Sequence, residues 1–367
     1  MKSDIELLSP VGDFECLKAA VQNGADSVYF GASLFNARAS ATNFDFDELE
    51  KVINYCALRN VRTHLTLNIL IKDSEFKEAV MVAKKAYELG IDALIVQDVG
   101  LAQFLMKLFP DLPIHASTQM TIHNLEGVQE LEKLGYSRAV LSRELSMQEI
   151  EFICNNSNIE IETFVHGALC ISYSGQCFFS SMVGGRSGNR GRCAQPCRLP
   201  YELVEEKSSN TKTSESVIDK GYLISPRDLC SLEFIPQLIK AGVKCFKIEG
   251  RLKTEYYLAS VVNAYRNAID DYCSNPEKYD YTKYLNELEK TKTRGLTTFY
   301  FNDRNNKDFQ DYEGKQYNAH YEFGGKVTEY NEDKTLIEIR NKLSVGDTME
   351  ILIPNKIDVV TFTIDKL

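Results

Sequence analysis

A repeated unit, one short apolar run followed by one amphipathic helical pattern, is the feature that most restricts the fold of this chain. In the first 165 residues, runs such as IELLSP, RTHLTLNI and DALIVQD each precede a stretch with helical periodicity, such as EFKEAVMVAKKAYELG. Gly24, Gly90 and Gly135 end three of these stretches just before the next apolar run, as expected of a left-handed helix cap. The alternation predicts parallel strands joined by helices.

The number of strands favours a closed barrel over an open sheet. Seven predicted strands precede residue 170, and VKCFKIEG, which follows the helical pattern EFIPQLIKAG, supplies an eighth. Eight strands separated by helices predict an α/β fold of the TIM-like (β/α)8 barrel type. We therefore expect a barrel domain over 1–275 with a cysteine-rich insertion at about 167–230, a connector over 276–317, and a small antiparallel β-barrel over 318–367.

Charge and hydropathy restrict the partners that the chain can have. The formal net charge is −10 and no long block of like charge occurs, so any nucleic-acid binding must use a local basic patch. The first residues, MKSDIELLSP, contain no apolar signal region, and no stretch reaches the roughly 18 apolar residues of a membrane span. We expect a cytoplasmic protein with no membrane partner.

Four of the ten cysteines lie within one segment of 28 residues. This segment is part of the stretch HGALCISYSGQCFFSSMVGGRSGNRGRCAQPCR. Cys170, Cys177, Cys193 and Cys197 have neighbours of a composition that is poor for a buried core, which favours a metal or cluster site over buried free thiols. Only the last two have the short spacing of a zinc knuckle, so an iron–sulfur cluster fits better than zinc, which stays the alternative metal. Cys230, in SPRDLC, is an alternative fourth ligand.

The same segment is rich in arginine and glycine, which predicts a flexible basic loop. Arg186, Arg190, Arg192 and Arg198 flank the cysteines. Such a loop suits bidentate contacts with RNA phosphates or with the carboxylates of a small acid. The alternative is a solvated loop whose positive charge offsets an anionic cluster.

Several stretches together closely resemble the collagenase-like peptidase family, also known as unassigned peptidase family thirty-two. They are ETFVHGALCISYSGQCFFSS, NRGRCAQPCR, SPRDLC, FKIEGRLKTEYY, the opening ELLSPVGDFECLKAAVQNGADSVYFG, and the late TTFYF and RNKLSVGDTMEIL. The resemblance covers almost the whole chain. Within that family the sequence is most similar to the prephenate-dependent tRNA hydroxylation proteins, which install 5-hydroxyuridine at the wobble position.

This resemblance implies a 4Fe–4S cluster on Cys170, Cys177, Cys193 and Cys197, with Cys230 still open as a fourth ligand. It also implies tRNA as partner and prephenate as hydroxyl donor, and whether a paralogous partner subunit is required stays open. Strand-end position and side-chain chemistry then suggest roles for further residues. The small dicarboxylate substrate would contact Arg143, Arg192, Arg251, Asn68, Gln97 and His115. The tRNA phosphates would contact Arg186 and Arg190. Protons would move through His166, Glu144 or Glu249.

Other functions remain open at this point. The family name supports a peptidase, although no HExxH, GxSxG or serine-triad spacing occurs in the sequence. A non-catalytic scaffold with a structural iron–sulfur cluster is a second alternative. A hydroxylase of another substrate is a third, since relatives hydroxylate a ribosomal RNA cytidine or act in oxygen-independent ubiquinone synthesis.

Overall fold

A computed structural model describes residues 4–39, 41–209, 212–302, 307–314, 321–331 and 334–367. Its strands are β1 (Glu6–Pro10), β2 (Ser27–Gly31), β3 (Arg62–Leu67), β4 (Ala93–Val96), β5 (Ile114–Ala116), β6 (Arg138–Val140), β7 (Glu160–Ala168), β8 (Tyr201–Ser209), β9 (Lys212–Gly221), β10 (Asp228–Cys230), β11 (Cys245–Ile248), β12 (Leu296–Thr297), β13 (Gly325–Tyr330), β14 (Thr335–Ile339), β15 (Thr348–Ile351) and β16 (Val360–Thr363). Its α-helices are α1 (Phe14–Gln22), α2 (Phe46–Ala57), α3 (Asp73–Glu88), α4 (Val99–Leu108), α5 (Leu125–Lys133), α6 (Met147–Asn155), α7 (Phe179–Gly184), α8 (Ile235–Ala241), α9 (Glu255–Ser274) and α10 (Thr282–Glu289).

Eight parallel strands close into a barrel, which confirms the predicted TIM-like fold. β1 to β7 pair in sequence order, and β11 pairs in parallel with both β1 and β7. Local signals place the helices around this barrel. For example, the side chain of Asp45 accepts the backbone N–H of Glu48 at 2.8 Å while Glu48 bonds back to the backbone N–H of Asp45, a capping box that begins α2.

Apolar side chains form two separate layers. The larger cluster lies between the strands and the surrounding helices and includes residues of every barrel helix. A small cluster of four residues, Leu8, Tyr29, Ile95 and Cys245, lies apart from it on strands of the barrel. Only four apolar residues form this second cluster, and polar and charged side chains occupy much of the remaining space beside it.

Those charged side chains form a buried ionic network inside the barrel. Arg138 is 2.7 Å from Glu6 and 3.2 Å from Glu162, and Lys247 donates to Glu162 at 2.7 Å. The imidazole of His64 lies 3.7 Å from Glu6. Because buried charges are tolerated only when they are paired, this network ties strands β1, β3, β6, β7 and β11 to one another.

The buried histidine of this network makes the fold sensitive to acid. Burial lowers the pKa of His64 to about 4, against the opposing effect of Glu6. In the unfolded chain this imidazole binds a proton at about pH 6.5, whereas in the folded chain it stays neutral. The folded state is therefore most stable, as far as His64 is concerned, above pH 6.5, and it loses stability as the pH falls towards 4. Between pH 7 and pH 4 the protonation of His64 in the unfolded chain lowers the free energy of unfolding by about 3 kcal/mol. We expect His64→Asn to remove this contribution, so that the urea midpoint falls less over the same pH range.

The exposed His123 provides the matched control for this measurement. His123→Asn makes the same substitution at an exposed position outside the buried network. His115 and His166 are also buried with lowered pKa values, so His64→Asn flattens the curve without abolishing it. An unaltered pH profile in His64→Asn would contradict the assignment.

The insertion after β7 adds strands that lie outside the barrel. β8 and β9 form an antiparallel hairpin. β10 then pairs antiparallel with the end of β7, with Cys230 opposite His166, and β12 pairs in parallel with β10. β10 has only three residues and was not predicted from the sequence.

The C-terminal segment is antiparallel, as expected. β13 pairs with β14 and β15 pairs with β16, and in the part of this segment that the structure describes the two hairpins are separate sheets. Lys290, just after α10, contacts this segment through Glu350 at 2.7 Å. Across the described residues, none of the helices has the length and apolar character needed to cross a membrane.

Candidate active site at the mouth of the barrel

A cavity of about 140 Å³ opens at the carboxyl ends of the barrel strands, between the barrel and the insertion. This is the end at which barrel enzymes hold their active sites. Barrel side chains form its floor, and they include Tyr29, Thr66, Phe164 and Lys247. The insertion forms the opposite wall.

The four clustered cysteines all line this one cavity. Cys170 is exposed, and Cys177, Cys193 and Cys197 are half-buried. Burial raises the pKa of the Cys197 thiol, Arg198 opposes that effect, and the other three cysteines add smaller increases through their charge. The thiols therefore share one electrostatic environment at the mouth of the barrel.

The arrangement of these thiols can be compared with the two metals considered from the sequence. Among the described residues, no group of three or more His, Cys, Asp or Glu side chains is arranged to hold a metal ion. The four thiols line one cavity, and cysteine thiolates are the ligands of iron–sulfur clusters, whereas structural zinc sites prefer two closely spaced pairs and only one such pair is present here. The residues present are thus chemically suited to an iron–sulfur cluster.

Cys230 does not line the cavity. It is buried, it faces the hydroxyl group of Tyr265 at 3.8 Å, and burial raises the pKa of its thiol to about 11. The structure therefore separates Cys230 from the four other cysteines of the proposed ligand set.

Close backbone contacts hold the insertion against the rim. Gly191 has a φ of 77°, and a Cβ at this position would lie 2.2 Å from the carbonyl oxygen of Asn36. Only glycine fits there, so the chain can bring Cys193 towards the loop after β2. Arg198 secures the end of the segment by donating to the side chain of Gln195 at 2.7 Å and to the carbonyl oxygen of Leu169 at 3.1 Å.

Arginine side chains surround one carboxylate at the cavity wall. Glu249 lies 3.4 Å from Arg38 and 3.7 Å from Arg143. Burial alone would raise the pKa of Glu249, but Arg38, Arg143 and Arg251 more than offset it, so the pKa is lowered and the group is ionised. Five cationic side chains and this one acidic side chain line the cavity, which gives it an excess of positive charge.

Two of these arginines have capacity for a further acceptor. Arg143 donates to the carbonyl oxygen of Ala168 at 2.8 Å and stacks on the ring of Phe164 at 3.9 Å, while its buried Nε has no hydrogen-bond partner. Arg251 donates to Asn43 at 2.7 Å, and its buried Nε also lacks a partner. Both residues line the cavity, so their guanidinium groups are placed to contact an anionic ligand.

The predicted site residues divide into two groups by position. Beside the cysteines, the cavity is lined by Asn68, Arg143, Glu249 and Arg251. Gln97, His115, Glu144, His166 and Arg192 do not line it. Arg192 and Arg186 are exposed on the surface of the insertion. Arg190 forms an ion pair with Glu75 and bonds to the carbonyl oxygen of Leu70, which fastens the insertion to the start of α3.

His166 lies on the side of its strand that faces a helix. It is fully buried, its ring is 5.4 Å from that of Tyr265 and 6.0 Å from that of Tyr257, and both tyrosines belong to α9. Burial lowers the pKa of His166 to about 3, so the ring is neutral. Its role in proton transfer stays a prediction, and this placement away from the cavity does not support it.

The other displaced residues have identifiable surroundings. His115 is buried in the barrel interior, below the floor of the cavity, and the centre of its ring is 5.0 Å from that of His64. The side-chain amide of Gln97 donates to the carbonyl oxygen of Gln119 at 3.1 Å, which supports the rim. Burial raises the pKa of Glu144, one of whose oxygens has no partner.

Sequence reasoning missed two cations of the cavity, Arg38 and Lys247. Arg38 lies in the long loop after β2, and Glu249 raises its pKa. Lys247 lies on β11, two residues before Glu249, which follows the strand, and its Nζ is 4.4 Å from the ring centre of Tyr29. The period of two along a strand was a signal for Lys247, whereas nothing in the sequence distinguished Arg38 from other loop arginines.

The sequence was compared with those of known protein families. Residues 12–311 match the sequence profile of peptidase family U32, and residues 319–367 match that of the peptidase family U32 C-terminal domain. The chain belongs to peptidase family U32. This confirms the resemblance on which the cysteine motif was interpreted.

Three relatives illustrate the range of names within the family. The chain is 34% identical to the tRNA hydroxylation protein P1 of Bacillus subtilis over 99% of this chain and 86% of that protein. It is 37% identical to a collagenase of Porphyromonas gingivalis over 74% of this chain and 67% of that protein. It is 33% identical to a 23S rRNA 5-hydroxycytidine synthase of Escherichia coli over 96% of this chain and 53% of that protein.

Proposed function

We propose that this protein is an RNA-modifying enzyme that hydroxylates C5 of the wobble uridine of tRNA. In this proposal prephenate is the hydroxyl donor, and Cys170, Cys177, Cys193 and Cys197 hold a 4Fe–4S cluster. Hydroxylation of RNA is the activity in the names of two relatives, and the similarity to one of them extends over 99% of this chain. The position of all four cysteines at the catalytic end of the barrel is the observation that carries the proposal.

The charge of the cavity supports a dicarboxylate as the small substrate. Arg143 and Arg251 line the cavity with three other cationic side chains, and Glu249 neutralises only part of this positive charge. A cation excluded from water binds a carboxylate more strongly than an exposed one does. These residues would bind and orient the donor, and the cluster would supply redox chemistry beside it.

The target base must leave its stack to reach this site. The cavity is enclosed by the barrel floor and the insertion, so a base within a helix has no access to it. An anticodon loop offers unpaired bases, which require less energy to extrude than paired ones. Asn68, which lines the cavity, would provide a side-chain amide for an inserted uracil.

A reconstituted reaction tests the proposal. Protein purified without oxygen is incubated with tRNA from a strain that lacks the gene, with and without prephenate, and the nucleosides are analysed by mass spectrometry. We expect 5-hydroxyuridine only when both protein and prephenate are present. Absence of the product with protein that contains iron and sulfide would overturn the proposal, and so would cleavage of gelatin at substoichiometric amounts in place of tRNA hydroxylation.

A further inference from the structure

A second, larger groove of about 860 Å³ adjoins the cysteine cavity. The rim of the barrel, the segment 290–294 and the C-terminal segment at 321–323 and 340–341 form its walls. We propose that this basic groove binds the single-stranded RNA on either side of the base that enters the cysteine cavity. The inference rests on the function proposed above and assigns a place to the rest of the RNA.

The charge of the groove is opposite to that of the chain. Seven Lys or Arg residues and three Asp or Glu residues line it, whereas the whole chain has a net charge of −10. A basic patch on an acidic protein is the electrostatic feature that a polyanion selects. Ion pairs offset part of this charge, since Arg294 pairs with Asp228, Lys290 lies 2.7 Å from Glu350 and Arg340 lies 3.0 Å from Glu338. The cations that line the groove still outnumber its acidic residues.

The groove also presents aromatic rings between its cations. Tyr256 and Phe323 stack with their ring centres 5.3 Å apart and their planes at 18°. Tyr321 is 43% exposed, and the Nζ of Lys290 lies 5.3 Å from the centre of its ring. Alternating cations and aromatic rings are typical of surfaces that bind unpaired nucleotides, because the rings stack on bases while the cations contact phosphates. This combination favours RNA over an acidic protein.

The groove is continuous with the cysteine cavity. Five residues line both spaces: Arg38, Gln195, Arg198, Glu249 and Leu252. A strand lying in the groove therefore passes the cavity entrance, where one nucleotide can turn inwards while its neighbours stay on the basic wall. Since the groove lies partly on the C-terminal segment, this segment gains a role in holding the substrate.

Charge reversal of two exposed groove residues tests the assignment. Lys292→Glu/Arg340→Glu is compared with Lys51→Glu/Lys77→Glu, which makes the same change in net charge on the exposed faces of α2 and α3. The probe is a fluorescent anticodon stem-loop, and its affinity is measured by anisotropy over a range of salt concentrations. We expect the groove variant to bind the RNA at least about tenfold more weakly than the control variant. Its slope of log affinity against log salt should be smaller in magnitude by about 1.4, because two phosphate contacts are lost.

The outcomes separate this proposal from the function on which it rests. If the two double variants bind RNA equally well, or if an acidic peptide displaces the RNA as effectively as unlabelled RNA does, the groove assignment is overturned. If the groove variant loses RNA affinity as expected but the unaltered protein forms no 5-hydroxyuridine with prephenate, the groove stands and the proposed reaction fails. Tyr321→Ala gives a second readout, with an expected loss of RNA affinity and an unchanged salt slope.

Discussion

Replacing Cys193 and Cys197 together with alanine is expected to abolish the iron content of the purified protein and the formation of 5-hydroxyuridine. Both thiols line the cavity at the barrel mouth, together with Cys170 and Cys177. Two thiolates are too few to hold a 4Fe–4S cluster. Loss of one residue that hydrogen-bonds to a metal ligand reduces metal affinity or activity about 10- to 100-fold. Loss of two direct ligands should therefore reduce activity by about a hundredfold or more. Iron and sulfide analysis, the visible spectrum and nucleoside mass spectrometry measure the effect.

Cys230 and Cys273 provide the controls. Cys230→Ala is expected to retain iron, because Cys230 is buried beside Tyr265 and does not line the cavity. Cys273→Ala tests the loss of an exposed thiol on α9. The ligand assignment would be contradicted if Cys230→Ala, still folded by circular dichroism, lost its iron while the double variant kept it. Stoichiometric zinc and no colour in the unaltered protein would contradict the cofactor itself.

Local patterns predicted the barrel well because each β/α unit is encoded within about thirty residues of sequence. The helical and strand periods alternate without interruption up to β7, and the closing strand β11 has the same apolar pattern as the others. Pairings between distant segments could not be predicted in this way. β10 is three residues long and pairs with β7 only because the insertion brings it back.

The candidate site was predicted where chemistry alone identifies a residue, and missed where backbone geometry decides. Cysteine spacing singled out four thiols that all line one cavity. His166 follows Phe164 by two residues and should share its inward face, but the register of β7 against β11 shifts between Lys247 and Ile248. The extra residue in β7 turns His166 outwards, towards the tyrosines of α9.

Arg143→Gln is expected to raise the KM for prephenate by about a hundredfold while the iron content stays unchanged. The guanidinium of Arg143 is held by the carbonyl oxygen of Ala168 and by the ring of Phe164, so it is positioned before the ligand arrives. A preorganised, largely buried cation loses little side-chain entropy on binding. Removal of one partner of such a charge pair costs about 2–5 kcal/mol, and a hundredfold corresponds to about 2.8 kcal/mol, in the lower half of that range.

Arg192→Gln distinguishes cavity position from mere proximity in sequence to the cysteines. Arg192 is adjacent to Cys193, yet it is exposed and does not line the cavity. Its replacement is expected to leave the KM for prephenate unaltered. Arg143 lines only the cysteine cavity and not the basic groove, so RNA affinity should be unchanged in Arg143→Gln. A higher KM in Arg192→Gln together with a normal KM in Arg143→Gln would place the acid outside the barrel mouth, on the surface of the insertion.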